Sequence, residues 1–340
     1  MTLSARTLLD PLIDELRPHY AFCGIALSRA GQREFAVGSQ PFLNVDAHRM
    51  FRVASVSKIV VGQTLALLLA DHGIGWDTDV SDALGWRLRN PAFPDIPITF
   101  AALASHTAGL DDTRGYLLAE GQLLQDFMLE GRFHNNQNKT YFVYSNLGYI
   151  IIAELIEKLS GRDFADAVAP LVSQGGFNWA NVSERNITNA LPTYRREGDV
   201  FRAQIDDPPQ PAAPTGSVAR YSPQGGLRLS LSGMLTLAEW LPQADQRVLW
   251  RRSDGPGNYL DGVFEDYGAG LQIFTSPSFY PRPLIGHFGN AYGFNGGVWY
   301  DAQADIAFAY ALNGLELGDE ADCFSDAERD IFSAVAEIED

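Results

Sequence analysis

Residues 59–70, Ile-Val-Val-Gly-Gln-Thr-Leu-Ala-Leu-Leu-Leu-Ala, constrain the fold of this chain more than any other stretch. The run is apolar on nearly every face, so as a helix it must be buried on all sides rather than lie amphipathic on a surface. Asp71-His72-Gly73 supplies the stop, with Gly73 suited to the left-handed turn that follows a helix end. Ser55-Val56-Ser57-Lys58 stands immediately before the run. Ser55 is therefore expected at the N-terminus of a central helix, with Lys58 one turn on along the same face. A helix N-terminus carries partial positive charge and free N–H groups. A serine there can be activated and its own N–H can help hold an oxyanion. A partly desolvated lysine beside it can lose its proton near neutral pH.

Composition sharpens the reading of Lys58. Of 25 basic residues only three, Lys58, Lys139 and Lys158, are lysines. Arginine serves wherever the chain needs a solvated positive charge, but only lysine can accept a proton. About one Ser-x-x-Lys is expected by chance in a chain of ordinary composition, so the motif needs its context. A length of 340 residues exceeds what one hydrophobic core usually spans, and two lobes are expected. A net charge of −17 argues against nucleic acid and anionic membrane surfaces as partners. Cys23 reads as a small core residue, and neither it nor Cys323 has the neighbours of a zinc site. The N-terminus lacks a basic segment followed by a long apolar run, and no stretch reads as a membrane span. The expectation is a cytoplasmic protein without a membrane partner; the sequence does not speak to oligomeric state.

Periodicity places helices at about 5–17, at 100–104, at 118–130, from Leu147 to Leu159, from Phe164 to Val172 and from Leu231 to Leu241. Ser325-x-x-Glu328 is a capping box opening a C-terminal helix. Strands are expected at about 20–28, 33–38, 267–274, 284–288, 296–301 and 305–312, the last two as a hairpin. Asp206–Gly216 reads as an extended linker. Strands at both chain ends bracket a mainly helical middle. The economical assembly is an α+β fold (an α/β sandwich): an antiparallel sheet flanked by helices, built from 1–75 and 225–340, with 76–224 as an inserted helical lobe.

Two further polar clusters stand downstream. Tyr144-Ser145-Asn146 precedes a helix. A tyrosine near a cationic amine can have its pKa lowered enough to act as a base, and an asparagine offers donor and acceptor to a substrate amide. Equally, Tyr144 can pack a helix start with Asn146 as its N-cap. His287-Phe288-Gly289-Asn290 falls on an expected edge strand, where Gly289 allows close approach and an unpaired N–H can complete an oxyanion hole with that of Ser55. The plain alternative for His287 is a satisfied histidine near a turn. Tyr116, Phe142, Tyr292 and Phe294 are candidates for the cleft wall or for simple packing.

Ser-x-x-Lys, Tyr-x-Asn and His-x-Gly in this order resemble the penicillin-recognising serine hydrolases, specifically the class C β-lactamase and D-alanyl-D-alanine carboxypeptidase/esterase family. Ser105-His-Thr-Ala-Gly-Leu110 is similar to that family's His-Thr-Ser-Gly-Leu segment, and Tyr221-Ser-Pro-Gln-Gly-Gly-Leu-Arg228 to its Ser-Pro-x-Gly-Gly-Leu segment. The resemblance covers about 20–312. It implies Ser55 as nucleophile, Lys58 as proton acceptor or relay, and Tyr144 as general base or acid. It also implies Asn146 as binder of the substrate amide, and His287 where the family has Lys, His or Trp. Gly289 would allow close approach beside Asn290, whose backbone N–H would share the oxyanion hole with that of Ser55. No metal or cofactor is implied.

Efficient class C β-lactamases carry Lys-Thr-Gly at the third motif; the His-Phe-Gly here resembles the peptidase, D-aminopeptidase and esterase branches, and a mostly neutral imidazole attracts an anion less. The reading is a serine hydrolase acting through an acyl-enzyme on a small-molecule ester or amide. Its rivals are a true β-lactamase or penicillin-binding D,D-carboxypeptidase, and a non-catalytic ligand-binding protein on the same fold. Acyl transfer to another molecule in place of water is not distinguished by sequence.

Overall fold

Phe22–Arg29 pairs antiparallel with Ile306–Asn313, residue 22 opposite 313 and residue 29 opposite 306, so the two ends of the chain close one sheet. The computed structural model describes residues 5–119, 122–134, 141–172, 177–179, 190–204, 218–255, 257, 264–316 and 324–338. The sheet has eight strands, in the order Gln32–Ser39, Phe22–Arg29, Ile306–Asn313, Phe294–Asp301, Leu284–Ala291, Gln272–Phe274, Asp266–Tyr267 and Trp250–Arg251. All its pairings are antiparallel. This is the α+β sandwich expected from the sequence.

Both faces of the sheet are covered, and the alternation of side chains decides by what. Cys23, Ile25 and Leu27 share an apolar cluster with Leu9, Ile13 and Leu16 of the Ala5–Leu16 helix and with Ile331, Phe332 and Val335 of the Asp326–Ala336 helix. That burial pushes the Cys23 thiol up to about 12, making it an inert core residue. Cys323 lies outside the described residues. On the opposite face, Ala26, Ala307, Ala309 and Ala311 join the Leu231–Trp240 helix. A Cβ on Gly24 would come within 2.8 Å of Leu231 Cδ2, so small residues let that helix lie close.

The helix Ser57–His72 is the centre of this second layer. It packs against Asn146–Ser160 and Phe164–Val172, and Gly73 ends it with φ 64°. By length and apolarity Ala54–His72 does reach what a membrane crossing needs, beyond the sequence expectation, but 72% of its most apolar 18-residue stretch is buried inside the fold. Gly62 is required for that burial: a Cβ there would lie 2.4 Å from the Ala269 carbonyl. The loop it admits divides the strand expected at 267–274 into Asp266–Tyr267 and Gln272–Phe274. Gly268 donates its N–H to Leu271 O, and Gly270 takes φ 73° in a tight turn.

Other expectations need correction. The helix expected at 118–130 is limited to Leu124–Leu129, and Asp206–Gly216 lies outside the described residues. Sequence reading also missed the hairpin of Tyr194–Glu197 and Val200–Ala203, joined in parallel by Leu315–Glu316. Leu284–Ala291 is an interior strand, not an edge. Its partner Gln272–Phe274, however, pairs only with residues 284–286. Beyond Gly286 that flank of the strand meets the Ser55 turn instead of another strand.

Candidate active site

The site begins with how the chain enters the central helix. Phe51–Arg52 pairs with Arg228–Leu229, and the next residues form a single 3-10 turn, Ala54–Val56, before the helix starts at Ser57. Ala54 adopts φ 46°, a left-handed conformation costing on the order of 1 kcal/mol for a residue with a Cβ. Ser57 stabilises the turn: its hydroxyl donates to Ala54 O at 2.6 Å and accepts from the Leu227 N–H at 3.1 Å. Ser55 is thereby presented at the helix entrance, half-buried, with its hydroxyl free of that structural duty.

Lys58 is fully buried. Its Nζ donates to Ser55 Oγ at 3.0 Å, Asn146 Oδ1 at 2.9 Å and the Gln224 carbonyl at 2.9 Å. The Tyr144 and Tyr149 rings stand 4.7 and 5.5 Å from the same nitrogen. Desolvation pushes Lys58 down to about 7, with the Asp112 carboxylate opposing the shift. The amine therefore exchanges its proton near neutrality while two of its three partners, an amide oxygen and a backbone carbonyl, keep it aimed at Ser55.

Tyr144 also hydrogen-bonds the Ser55 side chain, but burial pushes its hydroxyl well above the ordinary phenol range. This corrects the expectation of a tyrosine made more acidic by its surroundings: removing water penalises the phenolate more than the Ser55 hydrogen bond favours it. Asn146 does not cap its helix. The cap is Ser145, whose hydroxyl accepts from the Gly148 N–H, which leaves the Asn146 amide for Lys58.

His287 is fully buried on the interior strand. It closes a one-way hydrogen-bond chain that the sequence did not reveal. The Ser145 N–H donates to His106 Nδ1 at 3.0 Å, so His106 carries its proton on Nε2. His106 Nε2 meets Tyr267 Oη at 3.2 Å, and Tyr267 Oη meets His287 Nε2 at 3.0 Å. His287 Nδ1 contacts the Phe288 carbonyl, which can only accept, so His287 carries its proton on Nδ1 and takes the Tyr267 proton on Nε2. A backbone donor at one end and a backbone acceptor at the other fix both tautomers. Burial, then the positive charge of Lys58, hold His287 down at about 3, and the same causes hold His106 well below the ordinary histidine value. Both rings are neutral.

A neutral buried histidine has a consequence for stability. The folded-state pKa of His287 is depressed, so between pH 6.5 and about 3 the unfolded chain binds the extra proton. Stability is intact above pH 6.5 and is lost as pH falls through that window, by an amount on the order of several kcal/mol at full titration. His287→Gln is expected to flatten this acid loss in thermal unfolding measured from pH 7 to 4.5, relative to unsubstituted protein.

Gly289 brings the strand onto the Ser55 turn. A Cβ there would lie 2.4 Å from Val53 O, 3.1 Å from Ser55 N and 3.2 Å from Val56 N. Asn290, next along the strand, follows this contact directly. Gly289→Ala is expected to push the strand off the Ser55 turn and lower kcat/KM about 100-fold, the cost of roughly 1 Å of misplacement; steady-state kinetics on a folded variant check it. Of the aromatic candidates, Phe142 and Phe294 are core residues. Tyr116 and Tyr292 are half-buried, and Tyr292 lies over the Arg52 guanidinium at 4.5 Å.

Sequence reasoning missed Asp112, His106, Tyr267 and Gln224 as parts of the site. His106, Gln224 and, two residues beyond Leu110, Asp112 lay within or beside segments already singled out. Tyr267 carried no local signal, because only the turn at 268–271 brings it under the site.

A sheet closed by both chain ends, covered by a helix layer that carries Ser-x-x-Lys at its centre, is the β-lactamase/transpeptidase-like fold. The chain belongs to the β-lactamase family, whose model matches residues 19–327. It is similar to penicillin-binding protein 4* of Bacillus subtilis, 27% identical over 220 residues, covering 59% of this chain and 47% of that protein. It is also similar to the D-aminopeptidase of Brucella anthropi, 25% identical over 275 residues, covering 77% and 49%. The chain thus spans about half the length of these curated relatives. Among solved structures, the D-amino acid amidase of Ochrobactrum anthropi SV3 superposes with a TM-score of 0.74 at 18% identity, covering 97% of this chain and 98% of the other.

Proposed function

We propose that the protein is a serine hydrolase acting through an acyl-enzyme on ester or amide bonds of small molecules, of the esterase or D-amino-acid amidase/peptidase type. The observation that carries this reading is the buried Lys58 amine, down at about 7 and 3.0 Å from Ser55 Oγ. Neutral Lys58 takes the Ser55 proton as Oγ forms its bond to the substrate carbonyl carbon. The backbone N–H groups of Ser55 and Asn290 receive the developing oxyanion. Tyr144, held protonated by burial, donates to the leaving group as its bond to carbon breaks, and recovers a proton from Lys58. In the second half a water gives its proton to the Lys58–Tyr144 pair and its oxygen to the acyl carbon. The carbon–Oγ bond breaks, Ser55 regains its proton and the acid departs. Lys58 is the base in this scheme because a share of it is already unprotonated at neutral pH, whereas Tyr144 starts protonated and so can serve only as the acid.

The similarity to a D-aminopeptidase and a D-amino acid amidase favours short D-configured amides among the substrates. The neutral, buried His287 supports ester or amide turnover over β-lactam turnover, since it offers no positive charge to a drug carboxylate. The test is intact-mass spectrometry after mixing with p-nitrophenyl acetate and, separately, a fluorescent penicillin. Acylation of Ser55 by the ester with little penicillin adduct is the expected result. A dominant penicillin adduct moves the assignment to the β-lactamase or carboxypeptidase branch, and no adduct with either overturns the hydrolase reading in favour of a binding protein.

A further inference from the structure

Asp112 lies two residues beyond the segment that carries His106, and its carboxylate spans the start of the Asn146–Ser160 helix. Oδ1 accepts from Ser145 Oγ at 2.7 Å and from the Leu147 N–H at 3.3 Å, and Oδ2 accepts from the Asn146 N–H at 2.5 Å. The neighbouring Asp111 faces elsewhere, toward Thr113 and His134. Asn146 is thus held from behind by Asp112 through its backbone and holds Lys58 in front through its side chain at 2.9 Å. The line runs Asp112, Asn146, Lys58, Ser55.

Charge follows the same line. The groups around Lys58 are Ser55 from the turn that leads into its helix, His106 and Asp112 from the 105–112 segment, Tyr144, Asn146 and Tyr149 at the adjoining helix, the Gln224 carbonyl, and His287 from the sheet. Tyr144, Tyr149, His106 and His287 are all held neutral. Among these groups Asp112 is the one carboxylate, and it acts on Lys58 against desolvation.

We propose that Asp112 is a positioning residue for the reaction, holding the Lys58–Ser55 pair in register through Asn146 and supplying the counter-charge for the buried amine. This deepens the hydrolase reading and rests on it for its kinetic part alone. Without the carboxylate the amine gives up its proton more readily, so Lys58 titrates lower. The Asn146 N–H also loses its anionic acceptor, so the Asn146 amide and with it the Lys58 side chain move relative to Ser55.

The chain's three lysines make a direct test practical. In protein labelled with 13C at lysine Cε, the Lys58 signal is the one absent from Lys58→Met, and it is titrated in wild type, Asp112→Asn and Asp112→Glu. Asp112→Asn, close in shape, is expected to lower the Lys58 midpoint by about one unit. Asp112→Glu, which keeps the charge, restores the midpoint but not the full kcat, because its longer side chain misplaces Asn146. A cap with a merely structural role would lower the unfolding temperature of the variants and leave the Lys58 midpoint of folded Asp112→Asn where it was; that result overturns the proposal. The kinetic arm follows the ascending limb of kcat/KM against pH, which moves down with the Lys58 midpoint. The titration needs no substrate, so a shifted midpoint with an unshifted limb counts against Lys58 as base and leaves Asp112 as its counter-charge.

Discussion

Ser55→Ala will lower turnover at least about 1000-fold while the protein unfolds near the unsubstituted temperature. Ser55 Oγ is the only protein atom in the scheme that bonds to the acyl carbon. Removing a nucleophile leaves just the residual rate that binding and an oxyanion hole give to attack by water. The fold does not depend on that hydroxyl: the strained turn at Ala54 is held by Ser57, through the Ala54 carbonyl and the Leu227 N–H. The variant leaves Lys58 with Asn146 Oδ1 and the Gln224 carbonyl, enough to keep the amine in place. Intact mass after exposure to p-nitrophenyl acetate, beside an ester turnover assay, checks this. A variant still acylated at stoichiometric level sinks the assignment of the nucleophile.

The second large effect separates stability from activity at one residue. Lys58→Met keeps the length of the side chain and removes the amine, so turnover should fall about 1000-fold, within the range for loss of a general base. Stability should move the other way. Folded Lys58 sits at about 7 against 10.5 when solvated. Between those values the unfolded chain binds the extra proton, so stability rises with pH from 7 toward 10.5, and the cost of burial is fully present below pH 7. That cost is on the order of 5 kcal/mol. Lys58→Met removes it and should unfold at a higher temperature than the parent at pH 6, with the gap narrowed by more than half at pH 9. Lys58→Arg fails on both counts, since a guanidinium keeps its charge when buried. Thermal unfolding at pH 6, 7.5 and 9 decides this; a Lys58→Met less stable than the parent at pH 6 contradicts a desolvated amine.

Much of this was legible in the chain because it depends on local periodicity and on order. The largely apolar run at 59–70 dictated a buried helix, Gly73 its end, and the four residues just before it the entrance where Ser55 stands. The capping box at Ser325 and Glu328 opened the last helix as read. Strands at both chain ends bracketing a helical middle made a shared sheet the economical assembly, and Phe22–Arg29 beside Ile306–Asn313 is the result. Motif order brought Ser55, Lys58, Tyr144 and Asn146 into view before any contact between them was known.

What only the tertiary structure decided is how much water remains in the site, because burial is a property of the assembled layers. Desolvation lowered Lys58, as a local reading allows, but it raised Tyr144, which a local reading had turned the other way. It also placed His287, already read as mostly neutral, in a buried hydrogen-bond chain with Tyr267 and His106. Which strand is an edge is likewise a long-range fact: three short strands beyond Leu284–Ala291 remove its edge at 284–286 and leave the later residues to face Ser55. Asp112 belongs to the site for the same reason. Nothing in Asp111-Asp112 distinguishes the two carboxylates until the helix at Asn146 is packed against one of them.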